Sequence, residues 1–135
     1  MAFIVPTELV NAKPQRCMSY AILSQEKEAV SILNDMYHIQ SRIKIEEQKL
    51  DKLGVVANIQ YDSDDSNSVQ IHNTKVNEYN NIIKYRNQLT EQFNRSQDSY
   101  KLLLNEIYPS TNIMLLNCLN TELLSISTNT QSDVN

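Results

Sequence analysis

The sequence predicts an all-α protein: a long antiparallel two-helix hairpin of coiled-coil type with a short third helix. Three observations carry this prediction. Apolar residues recur at alternating spacings of three and four through two long stretches, the period of a helix that buries one stripe. Glycine occurs once, at Gly54, in 135 residues. Tight hairpin turns draw on glycine for positive φ, so a sheet with several hairpins is excluded in favour of long helices with few connections. The three prolines, Pro6, Pro14 and Pro109, stand outside both periodic stretches, where they mark boundaries and not breaks.

Residues 1–14 read as an N-terminal arm. Phe3, Ile4 and Val5 are apolar and Pro6 interrupts them. The arm either lies on the helices of its own chain, or docks on a neighbouring subunit or is read by a transport machine. A first helix is expected over 15–53. Pro14 suits its first turn, and Gly54 supplies a left-handed stop. One seam of this helix runs Ile22, Ala29, Met36, Ile43, Leu50, and its companion runs Gln25, Ile32, Ile39, Glu46, Leu53. The repeat is a heptad. Val30, Leu33 and Tyr37 widen the stripe beyond a two-stranded seam, so a third helix or another subunit should cover that flank.

Residues 54–68 read as an acidic, exposed linker rich in turn formers. A second helix is expected over 69–108, capped by Ser66 or Ser68 and ended by Pro109. Its seam runs Tyr79, Arg86, Phe93, Tyr100, Ile107, alternating with Ile82, Leu89, Ser96, Leu103. Ser110 or Thr111 should cap a third helix over 112–126, the most apolar stretch of the chain. The polar tail, 127–135, shows no helical pattern.

A modest linker between two long helices should make them antiparallel neighbours in one chain, and the heptads equally allow the first helix to pair with a partner chain. The seams then set a register. Leu53 faces Tyr79, Leu50 faces Ile82, Ile43 faces Leu89, Ile39 faces Phe93, Met36 faces Ser96, Ile32 faces Tyr100 and Ala29 faces Leu103. Glu46 and Arg86 form the one charged pair in the seam, a device that fixes register with some loss of stability. Cys17 and Cys118 come near the same end. They read as half-buried thiols, with a disulfide geometrically open to them.

Composition excludes several functions. The formal net charge is −4, with 12 basic residues scattered among 16 acidic ones, whereas phosphate backbones and anionic membranes call for clustered Lys and Arg. No nucleic acid partner is expected. No stretch reaches the roughly 18 apolar residues of a membrane span, and no secretory signal is visible, so the chain is expected to be cytoplasmic or exported without a cleaved signal. Asp62, Asp64 and Ser66 match positions of a calcium-binding loop, but Asn67 replaces its glycine and Asn73 its bidentate glutamate. The run reads as a solvated loop. His38 and His72 have no Cys or His at ligand spacing. One glycine cannot build a phosphate loop or a nucleophile elbow. Tyr79, Phe93 and Tyr100 read as core and not as a stacking platform. No catalytic residue, metal site or cofactor is expected, and no enzymatic activity.

What remains is a protein that binds. The reading is a non-enzymatic coiled-coil assembly protein, a structural subunit that self-associates into an oligomer or filament. The alternative is a small adaptor or chaperone for another helical protein. In outline, though in no motif, the chain is similar to the small coiled-coil chaperones and filament subunits of bacterial type III secretion. Under either reading Leu115, Leu116, Leu119 and Leu123 of the third helix are the expected partner-binding surface.

Overall fold

The computed structural model describes residues 13–57 and 65–134, with side chains described over 14–54 and 65–126. It is all-α. An eight-residue 3-10 segment, Lys13–Tyr20, is followed by α1 (Ser24–Ala57), α2 (Ser66–Ile107) and α3 (Ile113–Val134). No strand occurs among the described residues. The two long helices pack against each other as the expected hairpin. Most of the expected arm (1–12) and the middle of the expected linker (58–64) lie outside the described residues.

The helix ends differ from expectation, each for a local reason. The first helix does not run from residue 15. The chain winds as a 3-10 segment, closed by the Ala21 N–H donating to the Met18 carbonyl at 3.1 Å, and breaks over 21–23. The α1 ladder begins with Lys27 N–H to Leu23 O at 3.0 Å. The Glu26 carboxylate accepts from the Ile22 and Leu23 N–H groups, both at 2.9 Å. This is the carboxylate half of a capping box, and it fixes the start of α1 here. Ile22 therefore leaves the seam and is exposed. At the other end α1 passes through Gly54 to Ala57, and the glycine has no positive φ. Packing outweighs the weak helix propensity of one glycine.

The second helix starts three residues early, at Ser66, because Asp65 and neither serine caps it. Asp65 Oδ1 accepts from Asn67 N–H at 3.0 Å. It ends at Ile107, whose carbonyl accepts from both Ser110 and Thr111 in the turn around Pro109. The third helix is capped by Asn112, not by Ser110 or Thr111: its Oδ1 accepts from Leu115 N–H at 2.8 Å. It runs through the polar tail to Val134. No proline or glycine stands in 127–134, and each added residue of a formed helix gains a hydrogen bond.

The chain divides into two compact units, 41–91 and the remainder on either side of it. The first unit (1–40 and 92–135) holds the 3-10 segment, the first part of α1, the last part of α2 and all of α3. Its core is deep: Val30, Leu33, Met36, Tyr100, Ile107, Leu115, Leu119 and Ile126 are fully buried. Val30 and Leu33 are the flank for which the sequence demanded a cover. The second unit (41–91) holds the rest of α1 and the start of α2. Among its described residues Ile43, Glu46, Leu50 and Leu89 are buried. Here a methyl on Gly54 would stand 3.8 Å from Tyr79 Cε2, one position from the expected Leu53–Tyr79 pairing.

Candidate functional site

The polar chemistry of the first unit gathers where the 3-10 segment and the start of α1 meet the α2–α3 turn. Glu26 is buried and fully used. Besides the two backbone donors, its Oε2 accepts from the Thr111 hydroxyl. These bonds, the Thr111 hydroxyl first and then the Leu23 and Ile22 amides, hold its carboxyl below the usual carboxylate range against the opposing effect of burial. Asn112 works twice. Its oxygen caps α3, and its amide nitrogen donates to the Tyr20 carbonyl at 3.1 Å. The break before α1 and the turn before α3 thus tie each other down.

Further along α3, Cys17 and Cys118 form a disulfide with a Cα–Cα distance of 5.7 Å. Tertiary packing thereby decides between the free-thiol and bridged readings. Beside it, Arg16 donates from Nε (3.1 Å) and Nη2 (2.6 Å) to Glu122 Oε1. Arg16 is mostly exposed and Glu122 is buried, so the guanidinium lies over a carboxylate sunk in an apolar helix. The bridge and this ion pair border an open groove of about 560 Å³, lined by Arg16, Tyr20, Met114, Asn117, Cys118 and Glu122 among others. A second hollow of about 370 Å³ lies among Asp35, His38, Ile39, Gln92, Arg95 and Ser96.

The same end is apolar on its surface. Ile22 is 74% exposed, Ile113 66%, Tyr108 64%, Met114 58% and Leu23 51%. The bonds of Glu26 to Thr111 and of Asn112 to Tyr20 bring the segments that carry them together.

The expected site residues fall elsewhere. Leu115, Leu116 and Leu119 are buried in the core of the first unit and Leu123 is half-buried. They are not a free surface in this fold: three of the four are buried, and the 3-10 segment packs against α3. The apolar side chains that α3 leaves exposed are Ile113, Met114 and Leu124. The expected Glu46–Arg86 register pair is displaced by one residue. Arg86 Nη1 lies 3.8 Å from Glu47 Oε1, and Glu46 Oε2 lies 2.9 Å from Lys49 Nζ. Lys49 is on the same helix as Glu46 and reaches it without spanning the seam. Tyr100 is core, and burial pushes its hydroxyl up to about 12.

The described residues hold no group of three or more His, Cys, Asp or Glu arranged for a metal ion. The calcium-like run begins at Asp62, and its residues 62–64 lie outside the described part. Among the described residues no helix is long and apolar enough to cross a membrane. Sequence reasoning missed Arg16, Glu26, Thr111, Asn112 and Glu122. Glu122 had a signal: it is the one charged residue in 112–126, and a lone carboxylate in the most apolar helix needs a cation or donors. Glu26 had none, since the residue it caps is Leu23, outside the usual Ser or Thr of a capping box. No protein-family model, curated protein or solved structure matches the chain.

Proposed function

We propose that this protein is a non-enzymatic assembly protein, a structural subunit that self-associates into an oligomer or filament. The observation that supports this reading is the cluster of exposed apolar side chains Ile22, Leu23, Tyr108, Ile113 and Met114 at one end of the first unit. Apolar clusters larger than those of ordinary monomer surfaces mark contact sites, and burying such side chains is the main drive of association. The segments that carry the cluster are held in place by Glu26, Thr111 and Asn112, so the surface is preformed and little ordering entropy opposes binding. A second copy of the chain is the proposed occupant, since most soluble assemblies are built from copies of one chain.

Light scattering coupled to size exclusion, run over a hundredfold range of concentration, tests the reading. The mass should rise with concentration for the natural chain. Ile113→Ser with Met114→Ser should hold it at the monomer while far-UV circular dichroism stays helical. A mass that stays monomeric throughout would overturn self-association and turn the search to the adaptor reading, with another helical protein as partner.

A further inference from the structure

The Cys17–Cys118 bridge is built unevenly. Cys17 is fully buried, whereas Cys118 is part-exposed and lines the open groove of about 560 Å³ beside Arg16. A thiolate arriving from solvent therefore has an open approach to Cys118 and none to Cys17. The element that the bridge holds is weak by itself. Runs of 3-10 helix longer than about 3–4 residues are uncommon because their hydrogen bonds are poorly aligned. Lys13–Tyr20 is eight residues long. Among its described side chains Pro14 and Cys17 are buried and Met18 is half-buried, while Gln15, Arg16, Ser19 and Tyr20 face solvent. It packs directly against α3, and among the described residues its polar ties there are the pair of bonds from the exposed Arg16 to Glu122 and one bond from Asn112 to the Tyr20 carbonyl. An element most of whose described side chains and polar ties face solvent belongs to the low end of local stability.

We infer that Cys118 is a site of thiol–disulfide exchange, and that reduction of this bridge by a dithiol releases the segment 13–20 from α3 while the hairpin stays folded. The reductant's thiolate attacks Cys118 Sγ. A mixed disulfide forms, the Cys17–Cys118 bond breaks, and Cys17 leaves as a thiolate that takes up a proton. The second thiolate of the reductant then attacks its own sulfur in the mixed disulfide. Cys118 leaves and is protonated, and the reductant departs as a cyclic disulfide. Two electrons and two protons have passed to the protein. Release uncovers Glu122, now beneath Arg16, and the face of α3 around Cys118. The remainder of the unit keeps its own caps, Glu26 with Thr111 on α1 and Asn112 on α3. Such a bridge persists in an oxidising compartment and opens in a reducing one, so the device reports the compartment. It does not rest on the assembly reading.

Hydrogen exchange read by mass spectrometry on the full chain, oxidised and then reduced with dithiothreitol, tests the inference. Amides of 13–20 should exchange at least about tenfold faster after reduction, with 92–107 unchanged and far-UV helicity retained. The double variant Cys17→Ser, Cys118→Ser should reproduce the reduced pattern without reductant. Limiting glutathione, a monothiol, should leave its adduct on Cys118 in peptide maps. An adduct confined to Cys17, unchanged exchange over 13–20, or loss of helicity throughout the chain on reduction would each overturn it.

Discussion

The two units of the chain share the same pair of helices and differ in depth. In 41–91, α1 and α2 alone bury Ile43, Leu50 and Leu89, and each keeps some contact with solvent. In the other unit α3 and the 3-10 segment join the same pair of helices, and its ten largest fully buried side chains include Tyr100, Leu33, Met36 and Ile107. Two helices bury a stripe; only a third element closes the flank of that stripe and makes an interior. The polar residues follow suit. Buried Glu26 and Glu122 of the deep unit are held by donors from elsewhere in the fold, Thr111 and Arg16. In the thin unit Lys49 pairs with Glu46 and Lys75 with Glu78, each three residues away on its own helix, and the pair that joins its two helices, Arg86 with Glu47, is long at 3.8 Å and half-exposed.

This difference sets the order of the expected effects. The largest belongs to the deep core. Leu119→Ala should cost about 3 kcal/mol in urea unfolding, because the closed interior cannot collapse onto the space left. Ile43→Ala in the thin unit should cost visibly less, since its surroundings are open to solvent. Equal losses at the two positions would remove the distinction between the units.

Thr111→Val comes next. It takes away a hydrogen bond to an ionised buried carboxylate and should cost about 1–2 kcal/mol near neutral pH. The pH dependence has a definite sign. Glu26 is held below its ordinary value of 4.5 by the folded structure. Its contribution is complete above that value and is lost as pH falls through the lowered folded value. Urea midpoints between pH 7 and pH 3 should therefore fall more steeply for the natural chain than for Glu26→Gln. Parallel curves would mean that the carboxylate contributes nothing at this junction.

Smaller effects belong to the thin unit. Gly54→Ala should stabilise by about 0.5–1 kcal/mol, because the residue is helical and its new methyl meets only Tyr79 Cε2 at 3.8 Å. A lower melting temperature for this variant would show that α1 does not pass through Gly54 in solution. The smallest change is Arg86→Ala. Its 3.8 Å pair with Glu47 is half-exposed, so the cost should be under about 1 kcal/mol and should shrink as salt is added. A larger, salt-independent cost would make this contact a true seam interaction.

Periodicity alone made much of this molecule legible. Ala29, Met36, Ile43 and Leu50 recur every seven residues and all are buried, and so are Phe93, Tyr100 and Ile107. Val30, Leu33 and Tyr37 called for a third helix or another subunit over their flank; Val30 and Leu33 are fully buried and Tyr37 half-buried in the unit that also holds α3 and the 3-10 segment. Helix ends were harder, because an end is decided by one or two hydrogen bonds. Asp65 and Asn112 took capping roles that neighbouring Ser and Thr residues could equally have filled. The leucines of α3 show the firmest limit. A core face and a binding face need the same side chains, so composition could not tell whether Leu115 and Leu119 would be covered from within or from outside.

The sequence by itself thus determined the helical class, the hairpin and the buried stripe, because these follow from residue spacing along one element. The tertiary structure alone decided that Cys17 meets Cys118, that Arg16 lies over Glu122, and that Glu26 is held by Thr111. Each of these joins residues 85 or more positions apart. Their meeting depends on where α3 turns back, and the turn is set by packing that no local period encodes.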